Sequence, residues 1–384
     1  MWLATLKIAL ALSGGGIRAA VFHLGVLLRL AVDGRLDDVT QVSTVSGGSL
    51  VTAAVICAAG KQWPASGTYV SEIYPQLRTL LTTSDLFSLR AVGWCGLLHH
   101  HSALLTDRAR ILANLLTDRW KIRGDLADLP DTPSWSINAT CIETGKNWRF
   151  SKREMGDWKF GHHYRPPFTI AEAAAASAAV PYAIGALHLT LPNSGWYRTD
   201  PATRAPIEAT QPATTSIRLW DGGAYENLGL EAIYKPGRSG DGSDFLICSD
   251  ASGPLAAPRS PFALLKGQLA SPRLFDISSD QIRSLRSRML VQSITTGEIR
   301  GALLRMGNSV HDIDLKARFT RPSPGYDAFQ SEDEVGLALT QPTDLKAVSQ
   351  HAFDRIARHG FEIADATLTA YAAADFQTSF AWKS

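Results

Sequence analysis

Residues 8–18, Ile8-Ala9-Leu10-Ala11-Leu12-Ser13-Gly14-Gly15-Gly16-Ile17-Arg18, join an apolar run to three glycines and then to a helical pattern. The apolar run begins at residue 6, and residues 17–30 repeat apolar side chains at helical spacing. Glycines ahead of a helix expose backbone N–H groups at its positive end, which suits a bound phosphate or a developing oxyanion. The stretch therefore predicts a buried first strand, an anion-binding turn and a helix.

This turn differs from two common nucleotide-binding loops. Ala19 and Ala20 follow Arg18, so the spacing is not that of a GxGxxG dinucleotide loop. The end of the second predicted strand offers no convincing acid for a ribose, and the Gly-Lys-Ser/Thr of a P-loop is absent. On its own, the turn leaves the identity of the anion open.

A second strand is predicted over residues 39–45, where a short β-branched run stops at Ser46-Gly47-Gly48. The turn resembles a nucleophile elbow, G-x-S-x-G, with Thr44 in place of the first glycine. On such an elbow the serine Oγ is exposed, and the following helix N-terminus stabilises negative charge. The alternative interpretation is an ordinary N-cap serine.

A third turn, Asp221-Gly222-Gly223, follows a strand predicted over residues 216–220. A simple Asp-Gly turn is the alternative. Ligands of open α/β sheets lie beyond the carboxyl ends of the strands, so we expect the three turns to converge on one crevice. A glycine loop, an elbow serine and a strand-end aspartate are the minimal parts of acyl transfer.

The other patterns predict an α/β fold with a parallel sheet covered on both faces. Further strands are predicted at 135–139, 148–150 and 245–248, a surface insertion at 193–215, and helices at 103–120, 170–180, 278–306 and 343–372. We expect a three-layer sandwich with a mostly parallel central sheet and a helical C-terminal part.

Composition narrows the class of protein. The 384 residues are 45% hydrophobic and 19% charged, and the formal net charge of +2 gives no bulk attraction to nucleic acid. The four cysteines lack a CxxC or metal-like spacing, which fits a reducing cytoplasm. No stretch reaches the roughly 18 uncharged apolar residues of a spanning helix. We therefore expect the protein to meet lipid from the surface.

The histidines bear on the catalytic mechanism. A Ser-His-Asp triad of the α/β-hydrolase type needs a histidine on a loop after the aspartate. His311 is the loop-like candidate, because His351 and His359 fall within a predicted helix. The adjacent histidines at 99–101 do not share a helix face, so we interpret them as polar loop residues. The residues alone leave a triad open.

Taken together, the motifs resemble those of the patatin-like phospholipase family. Residues 9–18 are similar to its glycine-rich loop ending in arginine, and residues 42–49 to its elbow. Asp221-Gly222-Gly223, with residues 226–229 after it, resembles its DG[AG] motif, and residues 175–181 its small-residue segment. The resemblance spans roughly residues 6–255 and departs from the family at Thr44.

The resemblance implies a Ser–Asp dyad with no catalytic histidine, no metal and no cofactor. It assigns Ser46 as the nucleophile and Asp221 as the general base. The oxyanion hole is assigned to the backbone N–H groups of Gly14, Gly15 and Gly16, and supporting roles fall to Arg18, Gly47, Gly48, Gly222 and Gly223.

The predicted function is that of a lipid acyl hydrolase, a phospholipase A-type enzyme or lysophospholipase. The alternatives are a Ser-His-Asp esterase on soluble esters and a catalytically degenerate scaffold that binds lipid or an effector. Predicted partners are a phospholipid or other lipid ester, a peripheral membrane surface, and a regulatory protein or small-molecule activator, without nucleic acid. The predicted location is the cytoplasm or the membrane periphery.

Residues 6–255 are predicted to form the patatin-like catalytic core, and residues 256–384 a mainly helical extension packed on it. Residues 84–98 are interpreted as a lid, an interfacial patch for lipid or a buried irregular segment.

Overall fold

The computed structural model describes residues 6–86, 107–200, 205–237, 242–254, 271–317, 328–376 and 382. Its strands are β1 (Ile8–Leu12), β2 (Val39–Val45), β3 (Ser134–Cys141), β4 (Lys146–Phe150), β5 (Glu154–Asp157), β6 (Gly161–Tyr164), β7 (Leu187–Thr190), β8 (Trp196–Thr199), β9 (Pro206–Thr210), β10 (Ser216–Asp221), β11 (Phe245–Asp250) and β12 (Gly301–Arg305). Its α-helices are α1 (Gly16–Val32), α2 (Gly47–Ala58), α3 (Ser66–Thr68), α4 (Tyr74–Thr83), α5 (Arg108–Asp118), α6 (Ile170–Ser177), α7 (Ser271–Thr295), α8 (Val310–Ala317), α9 (Glu332–Leu339) and α10 (Gln350–Ala372).

One large sheet organises these elements. Its core consists of five parallel strands in the order β12-β11-β1-β2-β3. Beyond β3 the sheet continues antiparallel through β4, β5, β6, β8 and β9. The prediction of an α/β fold with a parallel sheet core is confirmed.

Strand β10 approaches the sheet core from the opposite direction to β2. Residues 134–138 of β3 pair with β2 in parallel, whereas residues 139–141 pair with β10 in antiparallel register. Because β4 occupies the other edge of β3, β2 and β10 lie end to end along one edge. Their carboxyl ends therefore meet, which brings the residue after β2 close to the last residue of β10.

Strand β1 shows how the core is divided between two faces. Ile8, Leu10 and Leu12 pack into the larger core, which includes α1 and α10. Ala9 and Ala11 face a smaller cluster on the other side of the sheet, which includes Leu290 of α7. Burial of β1 on both faces accounts for its uninterrupted apolar sequence.

Helices α1 and α10 pack closely against each other. A side chain at Gly25 of α1 would place Cβ 1.8 Å from the carbonyl oxygen of Ala357 in α10, so only glycine allows this approach. Arg29 and Asp365 lie fully buried in the same interface, and Arg29 Nε donates a 2.5 Å hydrogen bond to Asp365 Oδ1. Asp33 lies 3.4 Å from the same guanidinium.

We expect Asp365→Ala to lower the free energy of unfolding by about 3 kcal/mol, because the buried Arg29 charge loses its shorter partner. Asp354→Ala is the matched control on the same helix, since Asp354 pairs with Arg78 near the surface and such pairs contribute at most about 1 kcal/mol. Urea unfolding monitored by circular dichroism measures both changes. Equal losses of unfolding free energy in the two variants would show that burial of the Arg29–Asp365 pair does not increase its contribution to stability.

The structure corrects three sequence-based predictions. Residues 193–215 are not merely a surface insertion, because β8 and β9 extend the sheet there. The helix predicted over 278–306 ends at Thr295, and residues 301–305 form β12, which pairs with β11. The alanine-rich helix ends at Ser177, ahead of Pro181. Strand directions and ends of this kind depend on tertiary pairing, which apolar periodicity does not encode.

Several predictions remain outside these observations. The division at residues 255 and 256 stays a prediction, as does the extension packed on the core. Residues 87–98 of the predicted lid, Cys95 and the histidines at 99–101 lie outside the described residues. Cys57, Cys141 and Cys248 are free thiols. Within the described ranges, no helix has the length and apolar character needed to span a membrane.

Candidate active site

Ser46 lies on a strained turn between β2 and α2. Its backbone has φ 51° and ψ −118°, a region that a residue with a side chain rarely adopts. Although Ser46 occupies the N-cap position, its side chain makes no capping hydrogen bond. Ser46 therefore does not act as an ordinary capping serine, and its strained backbone persists only because the surrounding structure enforces it.

The two glycines after Ser46 allow α2 to pass close to its neighbours. A Cβ at Gly47 would lie 2.3 Å from the carbonyl oxygen of Gly16, and one at Gly48 would lie 2.5 Å from that of Leu12. Both distances are far below normal contact. The elbow and the glycine-rich loop therefore touch backbone to backbone.

Thr44 takes the place of the first elbow glycine without disturbing this packing. Its side chain is fully buried, and its hydroxyl accepts a 2.9 Å hydrogen bond from Trp135 Nε1. The same hydroxyl lies 2.7 Å from Ser49 Oγ in the first turn of α2. The threonine that replaces the glycine of the motif thus has hydrogen-bond partners for its hydroxyl inside the protein.

Asp221 ends β10 with one carboxylate oxygen engaged and one open. Oδ1 accepts a 2.7 Å hydrogen bond from the Gly223 N–H, whereas Oδ2 has no hydrogen-bond partner among the described residues. Burial raises the pKa of Asp221 to about 6, and the nearby Ser46 hydroxyl and Gly223 N–H oppose that rise. A carboxylate with this pKa is a better base at neutral pH than an ordinary aspartate.

The glycine-rich loop offers two open backbone donors. The Gly14 N–H already donates a 3.0 Å hydrogen bond to the Asn227 carbonyl. The N–H groups of Gly15 and Gly16 bond to no acceptor in the described part of the chain, and both residues line the same cavity as Ser46. Of the three glycines predicted for an oxyanion hole, Gly15 and Gly16 are therefore the ones with free donors.

A buried histidine supports this loop from behind. His23 Nε2 lies 2.9 Å from the Ser13 carbonyl oxygen, so this nitrogen carries the proton. Nδ1, 2.9 Å from Ser249 Oγ, then accepts the serine proton. Burial lowers the pKa of His23 to about 4, so the ring is neutral and engaged at both nitrogens. His23 is a structural support for the loop.

Arg18 is bound to the C-terminal third of the chain. Its Nη1 donates hydrogen bonds to the carbonyl oxygens of Leu339, at 2.6 Å, and Gln341, at 3.4 Å. The Ile17 N–H donates to the carbonyl oxygen of Asp344. These contacts brace the first turn of α1, and Arg18 also lines the cavity.

A cavity of about 880 Å³ joins the three turns. Ser46 and Asp221 both line it, each 5% exposed. The C-terminal third contributes Phe275, Ser279 and residues 343–345 to the wall, a contribution without a signal in the sequence. Residues 343–345 contain no recognisable site motif. They line the cavity because of how the segment before α10 packs, which the sequence pattern does not encode.

Asn227 is a further residue of the site whose role the sequence did not reveal. Its carbonyl holds Gly14, and its Nδ2 donates a 2.8 Å hydrogen bond to Ser252 Oγ. A Cβ at Gly14 would lie 2.3 Å from its Oδ1, and one at Gly223 would lie 2.6 Å from it. Asn227 thus connects the glycine-rich loop to the Asp-Gly-Gly turn. The one sequence signal for a role of Asn227 in the site was its position shortly after the Asp-Gly-Gly turn, within the segment that resembles the family motif.

No histidine of the described chain lines the cavity. His311 lies exposed in α8 rather than on a loop, and His351 is exposed in α10. His359 is buried and accepts a hydrogen bond from the Gly307 N–H. The described residues also contain no group of three or more histidine, cysteine, aspartate or glutamate side chains placed to hold a metal ion.

Comparisons with known proteins follow from this arrangement. Residues 10–234 match the sequence model of the patatin family, described as patatin-like phospholipase. No curated protein sequence matches the chain.

The fold is similar to that of human GIVD cytosolic phospholipase A2, with a TM-score of 0.56, 18% identity and coverage of 96% of this chain and 63% of that one. The same human enzyme in complex with methyl gamma-linolenyl fluorophosphonate gives a TM-score of 0.54, 16% identity and coverage of 94% and 57%. The chain thus spans less than two thirds of that enzyme, and at this identity the likeness concerns the fold alone.

Proposed function

The chain belongs to the patatin-like phospholipase family, and from this premise we propose that it is a lipid acyl hydrolase acting through a Ser46 acyl-enzyme. The observation that carries the proposal is the meeting of β2 and β10. At that junction, two residues line the same cavity. One is a serine with a strained backbone whose hydroxyl makes no capping hydrogen bond, and the other is a buried aspartate with one carboxylate oxygen lacking a hydrogen-bond partner among the described residues. We assign Ser46 as the nucleophile and Asp221 as the general base.

The reaction needs only groups of this chain, the ester and water. Asp221 Oδ2 accepts the Ser46 proton as Oγ attacks the ester carbonyl. The Gly15 and Gly16 N–H groups stabilise the oxyanion, and one such donor contributes about 3 kcal/mol. The tetrahedral intermediate expels the alcohol, which takes the proton from Asp221. Water then attacks the acyl-enzyme carbonyl while Asp221 accepts a proton from it. As the second tetrahedral intermediate breaks its bond to Ser46 Oγ and releases the fatty acid, Asp221 returns that proton to Oγ.

We propose a glycerophospholipid or lysophospholipid as the substrate. A cavity of about 880 Å³ lies at the upper end of the size range of pockets that bury most of a drug-sized ligand. Release of fatty acid from phosphatidylcholine and lysophosphatidylcholine in mixed micelles tests the proposal directly. Lipid analysis of cells that produce wild type or Ser46→Ala identifies the natural ester.

The pKa of Asp221 sets an expected pH dependence. A general base acts in its ionised form, so kcat/KM should fall about tenfold per pH unit below pH 6 and level off above it. Initial rates on a soluble short-chain ester between pH 4.5 and 8 measure this limb, with the folded state checked at each pH. A rate that stays constant down to pH 4.5 would contradict a base with a raised pKa.

A Ser-His-Asp triad on soluble esters is the competing mechanism, with His311 as the histidine. Because His311 is exposed and does not line the cavity, we expect His311→Ala to retain at least about half of the wild-type kcat/KM. Hydrolysis of a short-chain ester measures it. Loss of more than about 10²-fold at unchanged stability would favour the triad.

A degenerate scaffold that binds lipid or an effector without catalysis is the third possibility. A fluorophosphonate discriminates it, and the human enzyme of similar fold binds a linolenyl member of that class. Intact-mass analysis should show one covalent adduct, located on Ser46 by peptide mapping. Absence of the adduct, together with absence of fatty-acid release, would leave a binding role.

We further propose that the protein works at a membrane surface on the cytoplasmic side, where its lipid substrate is found. Regulation by a protein or a small-molecule activator stays a prediction. Co-sedimentation of Ser46→Ala with phosphatidylcholine vesicles tests surface binding separately from hydrolysis.

A further inference from the structure

The end of α6 holds the backbones of both proposed catalytic residues. Ser177, its last residue, accepts a 3.0 Å hydrogen bond from the Ser46 N–H through its Oγ. Two residues later, the carbonyl oxygen of Ala179 accepts a 2.9 Å hydrogen bond from the Asp221 N–H. One short stretch therefore connects the nucleophile to the base from behind the cavity.

Ser177 also belongs to a chain of buried hydrogen bonds that runs from Trp135 to the Asn138 carbonyl. Trp135 Nε1 lies 2.9 Å from Thr44 Oγ1, and Thr44 Oγ1 lies 2.7 Å from Ser49 Oγ. Ser49 Oγ is 2.8 Å from Ser177 Oγ, which donates a 2.6 Å hydrogen bond to the Asn138 carbonyl oxygen. All five residues, four contributing side chains and Asn138 its backbone carbonyl, are buried.

The two ends of the chain fix the direction of every proton. The indole N–H of Trp135 can only donate, and the Asn138 carbonyl can only accept. Because the Ser177 proton is committed to Asn138, Ser49 must donate to Ser177, and Thr44 must donate to Ser49. Ser177 Oγ is then saturated by one donated bond and two accepted bonds, one of them from the Ser46 N–H. Hydrogen bonds aligned in one direction polarise and strengthen one another.

We propose that Ser177 is a positioning residue for the acylation step, and that Thr44 and Ser49 hold its hydroxyl in place. The proposal rests on the proposed function. Ser46 keeps an unfavourable φ of 51°, and the bond from its N–H to Ser177 Oγ opposes relaxation of that turn. Ser177 does not line the cavity, so it acts on the reaction only through the backbone of Ser46.

The test compares four variants, one of which is a matched control. Ser177→Ala removes the acceptor of the Ser46 N–H. Thr44→Val removes a hydroxyl that is two hydrogen bonds away from Ser177, and Thr44→Ser keeps a hydroxyl at that position. Thr52→Val is the matched control, because Thr52 is fully buried in α2 and its hydroxyl has no hydrogen-bond partner among the described residues.

The measurements are kcat and KM for ester hydrolysis, the rate of covalent labelling by a fluorophosphonate, and the free energy of unfolding. We expect Ser177→Ala to lower kcat and the labelling rate by about 10- to 100-fold at unchanged KM, because small misplacements of a nucleophile have effects of this size. Thr44→Val should lower both by about 3- to 10-fold. Thr44→Ser should recover most of that loss, and Thr52→Val should stay within about twofold of wild type.

Two outcomes overturn the proposal. One is a Ser177→Ala variant that is folded and is labelled as fast as wild type. The other is a Thr52→Val variant that loses as much rate as Thr44→Val, which would show a general response to core changes. If Ser177→Ala does not fold, the Thr44 pair decides alone. Wild type that is neither labelled nor active refutes the proposed function instead, so the two failures are distinguishable.

Discussion

We expect Ser46→Ala and Asp221→Asn each to lower kcat for fatty-acid release by about 10³-fold or more, because the first removes the proposed nucleophile and the second the proposed base. Ser46→Ala should also abolish the fluorophosphonate adduct. Release of radiolabelled fatty acid from mixed micelles gives the range needed for such small residual rates. Full activity in either variant would end the dyad proposal.

Asp221→Asn should at the same time stabilise the protein at neutral pH. Raising the pKa of a buried carboxyl from 3.8 to about 6 corresponds to about 3 kcal/mol of destabilisation once the group is ionised in both states. The sign follows from proton binding. The folded state binds the Asp221 proton more tightly than the unfolded state, so the destabilisation grows between pH 3.8 and about 6 and is complete above. The gain in Asp221→Asn should therefore be largest above pH 6 and vanish below pH 3.8.

Asp250→Asn is the matched control, since Asp250 is also a buried aspartate at a strand end. Its carboxylate faces Arg283 at 3.3 Å and Arg305 at 3.7 Å, and it does not line the cavity. We expect the opposite pair of effects, with most of the activity retained and stability lost by about 1–3 kcal/mol. Denaturation curves at pH 7.5 together with kcat separate the two roles. Stabilisation by Asp250→Asn would show that the two arginines do not offset the burial of Asp250, and that this pairing does not distinguish it from Asp221.

The three turns were readable from the sequence because each combines local signals. Each strand pattern stops at a glycine pair or triplet, and the proposed catalytic residues Ser46 and Asp221 stand directly between strand and glycines. Strand β2 was predicted with its observed bounds, Val39–Val45, because a β-branched run stops abruptly at the elbow. Local propensity and the tertiary fold agree at these positions, so the sequence is informative there.

The direction of β10 was not readable in the same way. An apolar run such as residues 216–220 has the same pattern whether the strand runs parallel or antiparallel, and only pairing with β3 decides it. The result still brings Asp221 to Ser46, because β2 and β10 meet end to end. We expected Ser46 and Asp221 to lie close together because both would follow parallel strands. They do lie at one cavity, but β10 is antiparallel to β3 and meets β2 end to end.

The supporting polar contacts were hidden for another reason. Thr44, Ser49 and Ser177 stand among small and apolar residues, where a hydroxyl is indistinguishable in sequence from a neutral space-filling group. Their function depends on contacts across β2, α2, β3 and α6. Thr44 illustrates this dependence, since it departs from the elbow motif in sequence and is hydrogen-bonded on both sides in the fold.

The contact between the elbow and the glycine-rich loop leads to the second large effect, expected for Gly47→Ala. A methyl group at Gly47 would lie 2.3 Å from the Gly16 carbonyl oxygen and 3.0 Å from the Gly16 nitrogen, so the loop and α2 must move apart. Gly16 carries one of the two free donors proposed for the oxyanion. We therefore expect kcat to fall by about 10²-fold or more, through displacement of both the nucleophile and the donor. Overpacking should also lower the free energy of unfolding by about 1–3 kcal/mol.

Gly336→Ala is the control that isolates this contact. Gly336 lies in α9, and apart from its chain neighbours and the nearby backbone of its own helix, no heavy atom of the described residues lies within 4 Å of the position that its Cβ would occupy. Alanine there should leave kcat unchanged and stabilise the protein by about 0.5–1 kcal/mol, as expected in a helix. Parallel measurement of kcat and urea unfolding for both variants assigns any loss in Gly47→Ala to crowding at the loop. If Gly47→Ala keeps wild-type kcat, then the close approach of Gly47 to Gly16 is a packing feature without influence on the oxyanion, and the donors must be sought elsewhere, beginning with the Gly47 N–H that follows the nucleophile.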